Sequence, residues 1–349
     1  MCGIVGYLDK SGSAAAAVGG QVLRMLEALA CRGPDSAGVA LWGPESDRLI
    51  VRIKIIPGET GGSTGPSLPP DAARMPARDR SGAAGARVSA LDHIARRFGR
   101  VRARTIQGAL VRLEIATAQP VELARAIESI DADVEVVSMG RRLEIVKQVG
   151  APKNLDAAFG VSGMTGTHGL GHTRLSTESR VDLSHSQPFW AHGTPDLAVV
   201  HNGHITNYHR LRRMFEQEGV RFYTENDSEI IGIYLARRLA EGASLREALA
   251  ASVRELDGSF SYLAATAGAF GFAKDPFCLK PLIVGEGDGA IAVATEEIAL
   301  QAALAGPYTA REAGAGAVSV WDVSARPESD RGRAAIKRTR GPGRSRRAA

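Results

Sequence analysis

The order of the apolar runs constrains this fold more than any other feature of the sequence. Residues 3–8, 39–42 and 49–56 are short β-branched runs that read as strands, and a single helix-spaced run at 19–30 separates the first two. Further on, 169–174, 197–201, 259–266, 270–274 and 290–295 read as strands, and 207–217, 228–240 and 245–256 read as helices. A doubly wound sheet requires strand and helix to alternate strictly. Strands in runs beside grouped helices predict stacked α+β layers instead.

Between these blocks the composition changes. Residues 58–85 are rich in Gly, Pro, Ser, Ala and Arg and are expected to form a flexible linker. Residues 87–150 regain periodicity, with helices at 90–98 and 121–130, a strand at 108–116, and a strand pair at 134–137 and 142–149. That pattern predicts a small α+β insert with its own partial core, inside a 57–160 interruption of a main domain spanning 2–325. Residues 326–349 form a basic tail with too little apolar surface to offset its ordering entropy. The tail also misleads about charge: the chain is +5, but residues 331–349 hold eight Lys/Arg and no acid, leaving −3 for the rest. No nucleic-acid reader motif accompanies the tail, so a nucleic-acid partner is not expected.

No apolar run approaches the roughly 18 residues that a membrane-spanning helix needs. The N-terminus has no basic region ahead of a long apolar stretch, so it does not read as a secretory signal. Cys2, Cys31 and Cys278 are too few and too scattered for a disulfide framework or a zinc site, and a reducing cytoplasm fits them. The spacings of His172, His185, His201 and His204 match no standard metal site, and these are expected to be core or supporting groups.

Chemistry concentrates at position 2. Removing Met1 would place a thiol and a free α-amine on one residue. An α-amine titrates near 7.7–8.0 and a thiol at about 8.5, so the amine can take the thiol proton near neutral pH. Cys2 alone could equally be a small residue at an unimportant terminus.

The rest of the chain changes that balance. Cys2-Gly3-Ile4-Val5-Gly6 is followed by Arg32-Gly33-Pro34-Asp35-Ser36-Ala37-Gly38, Gly171-His172-Thr173-Arg174, His201-Asn202-Gly203-His204-Ile205-Thr206-Asn207 and Thr224-Glu225-Asn226-Asp227-Ser228-Glu229. Together, over residues 2–56 and about 165–300, these motifs resemble the class II glutamine amidotransferases of the N-terminal nucleophile hydrolase superfamily. The resemblance implies a four-layer αββα sandwich of two mainly antiparallel sheets. It also implies hydrolysis of L-glutamine through a thioester on Cys2.

Glutamine presents a carboxylate, an ammonium and a neutral amide. The resemblance assigns Arg174 to the carboxylate, which a guanidinium can pair bidentately. It assigns Asp227 to the ammonium, Asn202 and Gly203 to the oxyanion hole, and Arg32 and Gly33 to the loop that orients the nucleophile. Asp35 and Ser36 are expected to brace that loop through side-chain-to-backbone bonds. Simpler readings exist: a structural ion pair for Arg174, a helix cap for Asp227, a plain turn for Asn202-Gly203. Where hexosamine-forming relatives continue Trp-Ala-Thr-His, this chain has Leu175-Ser176-Thr177-Glu178. Thr177 keeps a hydroxyl for glutamine, while Leu175 and Glu178 leave loop closure open to difference.

The sequence shows no ATP loop of the asparagine-synthetase kind and no evident phosphosugar site. An ammonia-accepting synthase subunit is therefore expected on another polypeptide, in a hetero-oligomer. The stretch from His172 to Ser179, followed by Ser184-His185-Ser186-Gln187-Pro188-Phe189-Trp190, is similar to amidotransferase subunits of the glutamate-synthase type, including that of N-methylglutamate synthase. That likeness implies no cofactor in this chain, with FMN and an iron–sulfur cluster on the partner. A free-standing amidase or γ-glutamyl hydrolase, or a non-catalytic scaffold, are the alternatives.

Overall fold

The computed structural model of the protein describes residues 2–55, 77–176 and 181–323. In chain order its elements are β1 (Gly3–Asp9), α1 (Val18–Ala28), β2 (Ser36–Trp42), β3 (Leu49–Lys54), α2 (Ala77–Phe98), β4 (Arg100–Gln107), β5 (Leu110–Ala116), α3 (Pro120–Glu128), β6 (Glu135–Gly140), β7 (Leu143–Val149), α4 (Lys153–Phe159) and β8 (His168–Arg174). Then follow β9 (Phe189–Trp190), β10 (Ala198–Ile205), α5 (Tyr208–Gln217), α6 (Asp227–Ala240), α7 (Leu245–Glu255), β11 (Gly258–Ala265), β12 (Ala269–Lys274), β13 (Ile283–Gly287), β14 (Ala290–Ala294), α8 (Glu297–Ala303), β15 (Tyr308–Glu312) and β16 (Val318–Asp322).

Two antiparallel sheets stack as expected. One runs β15-β13-β14-β1-β8-β2-β7 and the other β16-β12-β11-β10-β9. Their inner faces meet where β1 and β8 pack on β10 and β11. On the outside, α1 and α8 cover the first sheet, while α6 and α7 cover the second and α5 packs on α6. The layers are therefore α, β, β and α. The central strands are apolar on both faces because both faces are covered: β1 (GIVGYLD) is buried from Gly3 to Leu8. α1 is amphipathic, burying Val18, Val22, Leu23, Met25 and Leu26 at helical spacing. A Ser244–Glu247 capping box starts α7.

Strand alternation aims the first residue. The side-chain direction at Gly3 faces Leu29 on the helix side, and that at Gly6 faces Phe270 of the opposite sheet. With a period of two, Cys2 therefore faces the gap between the sheets. On β8, Gly171 faces Val22 and Leu26 of α1, so His172 and Arg174 face the same gap as Cys2.

The insert differs from expectation in three ways. Residues 77–85, expected as linker, belong to α2, because the helix propensity of Ala and Arg outweighs Gly82 and Gly85 and because Leu91 and Ala95 anchor the helix in the core. Residues 58–76 lie outside the described residues, as does the tail at 326–349. Second, the expected pair at 134–137 and 142–149 forms no ladder. β6 joins a four-stranded sheet, β4-β5-β3-β6, whereas β7 pairs with β2 at the edge of the seven-stranded sheet. Third, β3, read as part of the main domain, is a central strand of that insert sheet.

Long-range pairing decides these memberships, and side chains reinforce them. Arg52 of β3 and Arg112 of β5 both bond Glu144 of β7, at 2.7 and 2.8 Å. The apolar residues of the insert sheet are continuous with the core of the seven-stranded sheet, so the insert's core is not separate. Among the described residues no helix is long and apolar enough to cross a membrane.

Candidate active site

The ends of β1, β8 and β10 converge on Cys2. Arg32 Nε and Asn202 Nδ2 both donate to the Cys2 carbonyl oxygen, each at 3.3 Å. The thiol lies 3.8 Å from the Leu175 carbonyl. Gly3 pairs with Thr173 in the β1–β8 ladder, which sets Cys2 beside Arg174. Two strands and a loop thus hold the backbone of Cys2 while its side chain remains part-exposed.

Arg32 ends a 3₁₀ turn at Ala30–Arg32 and ion-pairs with Glu296 just ahead of α8. Gly33 follows because nothing larger fits: a Cβ there would lie 2.4 Å from the Thr173 carbonyl carbon and 2.5 Å from the Arg174 nitrogen. Pro34 then bridges Arg174 in parallel fashion, and the Asp35 N–H donates to the Arg174 carbonyl at 3.0 Å. The Asp35 carboxylate accepts from the Ser176 N–H at 2.7 Å. Asp35 therefore braces the arginine-bearing segment, not its own loop. Ser36 does not brace either: its hydroxyl is buried with no hydrogen-bond partner among the described residues.

Arg174 is 5% exposed. Burial lowers its pKa, opposed by the nearby Cys2 thiol and the carboxylates of Asp182 and Asp35. A guanidinium remains charged under such a shift and can receive a carboxylate. Thr177 lies outside the described residues.

Asn202 and Gly203 lie in the second half of β10. Gly203 has φ +148°, and a Cβ on it would lie 2.2 Å from the Ser259 carbonyl oxygen and 2.7 Å from Phe260 Cα. Only glycine occupies such a position without strain. Phe260 stands opposite Gly203, yet both its backbone groups turn to Asp275: its N–H donates to the carboxylate at 2.9 Å and its carbonyl accepts the Asp275 N–H at 3.0 Å. In an antiparallel ladder the Gly203 N–H must then point away from β11, toward the open edge of β10. That edge is where a developing oxyanion could be met.

Asp227 is the first residue of α6, and the cap itself is Asn226, whose side chain accepts the Ser228 N–H at 3.0 Å. Asp227 is thus released from capping. One of its oxygens accepts the Ile205 N–H at 2.8 Å, and the other lies 3.6 Å from His201 Nδ1. The exposed His204 ring also stands 3.6 Å from it. A carboxylate with lone pairs to spare at a helix N-terminus suits an ammonium ligand.

Sequence reasoning expected His201 to be a core or supporting group and left Gln187 without a role. His201 Nδ1 bonds Ser228 Oγ at 2.9 Å, and its backbone N–H donates to Gln187 Oε1 at 2.6 Å. Gln187 Nε2 returns to the His201 carbonyl and to Ser228, each at 3.1 Å. Burial lowers the His201 pKa, with Asp227 opposing. His172 is driven down to about 3 by burial, so its ring is neutral beside Arg174. His201 and Gln187 thus join β10 to Ser228 at the start of α6. In the sequence, His201 opens the Asn202-Gly203 motif and Gln187 stands in the Ser184–Trp190 stretch, but nothing there pairs the two.

The chain is similar to known proteins along most of its length. The profile of a family described as "Glutamine amidotransferase domain" matches residues 172–302. A putative glutamine amidotransferase of Methanothermobacter thermautotrophicus is 38% identical over 312 residues, covering 86% of this chain and 93% of the relative. The glutamine amidotransferase-like protein GlxB of Rhizobium meliloti is 33% identical over 301 residues, covering 86% and 91%. A glutamine–fructose-6-phosphate aminotransferase of Bradyrhizobium diazoefficiens is 34% identical over 176 residues, but only 27% of its length is matched. Among solved structures, the glutamine phosphoribosylpyrophosphate amidotransferase of B. subtilis superposes on 93% of this chain with TM-score 0.54 at 18% identity. The chain spans about half of that protein, 49%, and the likeness establishes the fold. With relatives matched along nearly their whole length, the αββα sandwich being the fold shared with the B. subtilis enzyme, the chain belongs to the glutamine amidotransferases.

Proposed function

We propose that the protein hydrolyses L-glutamine to glutamate and ammonia, with Cys2 as nucleophile, and delivers the ammonia to a synthase subunit on another polypeptide. The convergence of Arg32 and Asn202 on the Cys2 carbonyl carries this reading, because it fixes the nucleophile against the strand that bears Gly203. With Met1 removed, the α-amine would take the thiol proton. The thiolate would attack the amide carbon, and the oxyanion would settle toward Asn202 and the Gly203 N–H. The proton would pass from the amine to the leaving ammonia, and water would then release glutamate from the thioester. Arg174 and Asp227 would hold the two charged ends of the substrate.

The acceptor is read from resemblance to glutamate-synthase-type subunits, with FMN and an iron–sulfur cluster on the partner. Tagged full-length chain, purified from its own cells, should bring down a flavin- and iron-containing polypeptide. It should release glutamate and ammonia in equal amounts, and Cys2→Ala should release neither. A chain that stays alone and turns over at full rate favours a free-standing glutaminase. Activity retained by Cys2→Ala refutes the mechanism.

A further inference from the structure

Resting on that reading, we propose that the insert positions the ammonium end of the glutamine site, with Glu128 and Tyr223 as positioning residues for Asp227. Glu128 ends α3, on the insert, and is 3% exposed. One of its oxygens accepts the Tyr223 hydroxyl from the main body, while the other accepts the insert's own Val136 N–H at 3.2 Å and lies 3.3 Å from His192 Nε2. The Tyr223 ring stacks on His192 with centroids 4.0 Å apart, and His192 in turn lies 4.8 Å from Trp190 of β9.

From Tyr223 the connection continues into α6. The Tyr223 N–H donates to Glu229 Oε1 at 2.8 Å, and the Thr224 N–H and hydroxyl donate to Glu229 Oε2 at 2.9 and 2.8 Å. Glu229 stands in the first turn of α6, two residues beyond Asp227, and is 2% exposed. Asn226, just ahead of Asp227, donates its N–H to the Thr224 hydroxyl oxygen at 3.1 Å and caps the helix. The segment from Tyr223 to Glu229 is therefore pinned at one end by an insert carboxylate and at the other by the helix that carries Asp227.

A buried carboxylate is costly unless its lone pairs are met. Glu128 meets that need with donors from both the insert and the body. The start of α6 is thereby registered against the insert, which is otherwise far from the chemistry in sequence.

The test uses the full-length chain and two probes of Cys2. 6-Diazo-5-oxo-norleucine carries the α-amine and α-carboxylate of glutamine and so reports recognition. Iodoacetamide reports only the reactivity of the thiol. Tyr223→Phe should raise the KM for glutamine about 5- to 10-fold, the worth of one ordinary hydrogen bond, with kcat within about twofold. Inactivation by the diazo-oxo compound should slow by the same factor while iodoacetamide labelling is unchanged. In an Asp227→Asn background, adding Tyr223→Phe should cost almost nothing further.

A wild-type KM in Tyr223→Phe, equal slowing of both probes, or fully additive losses with Asp227→Asn would each overturn the inference. If Tyr223→Phe does not accumulate as folded protein, Glu128→Gln provides the same ratio of probe rates, and an unchanged ratio there overturns it too. Failure of the wild type to hydrolyse glutamine would instead remove the functional reading on which the inference rests.

Discussion

Replacing Gly203 by alanine tests the oxyanion role proposed for β10. The added methyl would lie 2.2 Å from the Ser259 carbonyl oxygen and 2.7 Å from Phe260 Cα, and both are backbone atoms of β11 with no rotamer to escape into. Ordinary van der Waals contact there is more than 3 Å, so β10 and β11 must part by about 1 Å at this point, or the peptide must rotate. The φ of +148° is also one that an L side chain rarely adopts. Holding alanine there costs about 1–3 kcal/mol of stability. Either response moves the Gly203 N–H, and losing one oxyanion donor typically costs about 2.7–4 kcal/mol in the transition state. Gly203→Ala should therefore lose about 10²- to 10³-fold in kcat. Its KM should change little, because in the proposed site it is Arg174 and Asp227 that would hold the substrate's charged ends. The assay is steady-state glutamate release, with thermal unfolding run in parallel to show that the variant is folded. A folded Gly203→Ala with kcat within about threefold of wild type would refute this role for the Gly203 N–H.

Two further outcomes follow from other parts of the structure. Arg174→Lys should raise the KM for glutamine about 10- to 100-fold, because a lysine keeps the charge but loses the two-pronged match to a carboxylate; an unchanged KM would move the carboxylate site elsewhere. His168 is stacked on Trp42 at 4.5 Å, and burial lowers its pKa to about 3, from 6.5. Below 6.5 the unfolded chain takes up a proton that the folded one refuses, so stability falls as pH drops from about 6.5 to about 3. His168→Phe should therefore remove about one proton from the pH-dependence of unfolding in that window, or about 1.4 kcal/mol per pH unit at most. Denaturant titrations at pH 4 to 7 would check this, and parallel slopes in both proteins would contradict it.

Much of the site could be read before the fold because its groups sit in contiguous motifs whose chemistry is specific. Cys2, Arg32, Arg174, Asn202, Gly203 and Asp227 fall at or near the ends of strands, a 3₁₀ turn and a helix, each within a short string of the sequence. Elements with two covered faces were equally legible where, as in β1 (GIVGYLD) and β14 (AIAVA), they carry continuous apolar runs. Edge strands were not. β4 (RVRARTIQ) alternates between half-buried and exposed positions with arginines throughout, so its periodicity never rises above that of a loop. β15 (YTARE) is exposed along most of its length and fails for the same reason.

The exchange of β3 and β7 between sheets was illegible for a different reason. Each strand was found, but its partner is set by contacts dozens of residues away, which local pattern does not encode. Gln187 on His201 and Glu128 on Tyr223 belong to this second kind. Each is an ordinary polar residue until the fold brings its partner across. Asp227 lies between the two cases: the motif named it, and only the geometry separated it from the cap at Asn226.

The central claim is that Cys2 becomes the N-terminal nucleophile of a glutamine-shaped site. Intact-mass measurement after treatment with 6-diazo-5-oxo-norleucine tests it most directly. The account predicts a chain lacking Met1 that gains a single adduct, mapped to Cys2 by fragmentation and missing in Cys2→Ala. An active chain that retains Met1, or an adduct on Cys31 or Cys278 in place of Cys2, would contradict it.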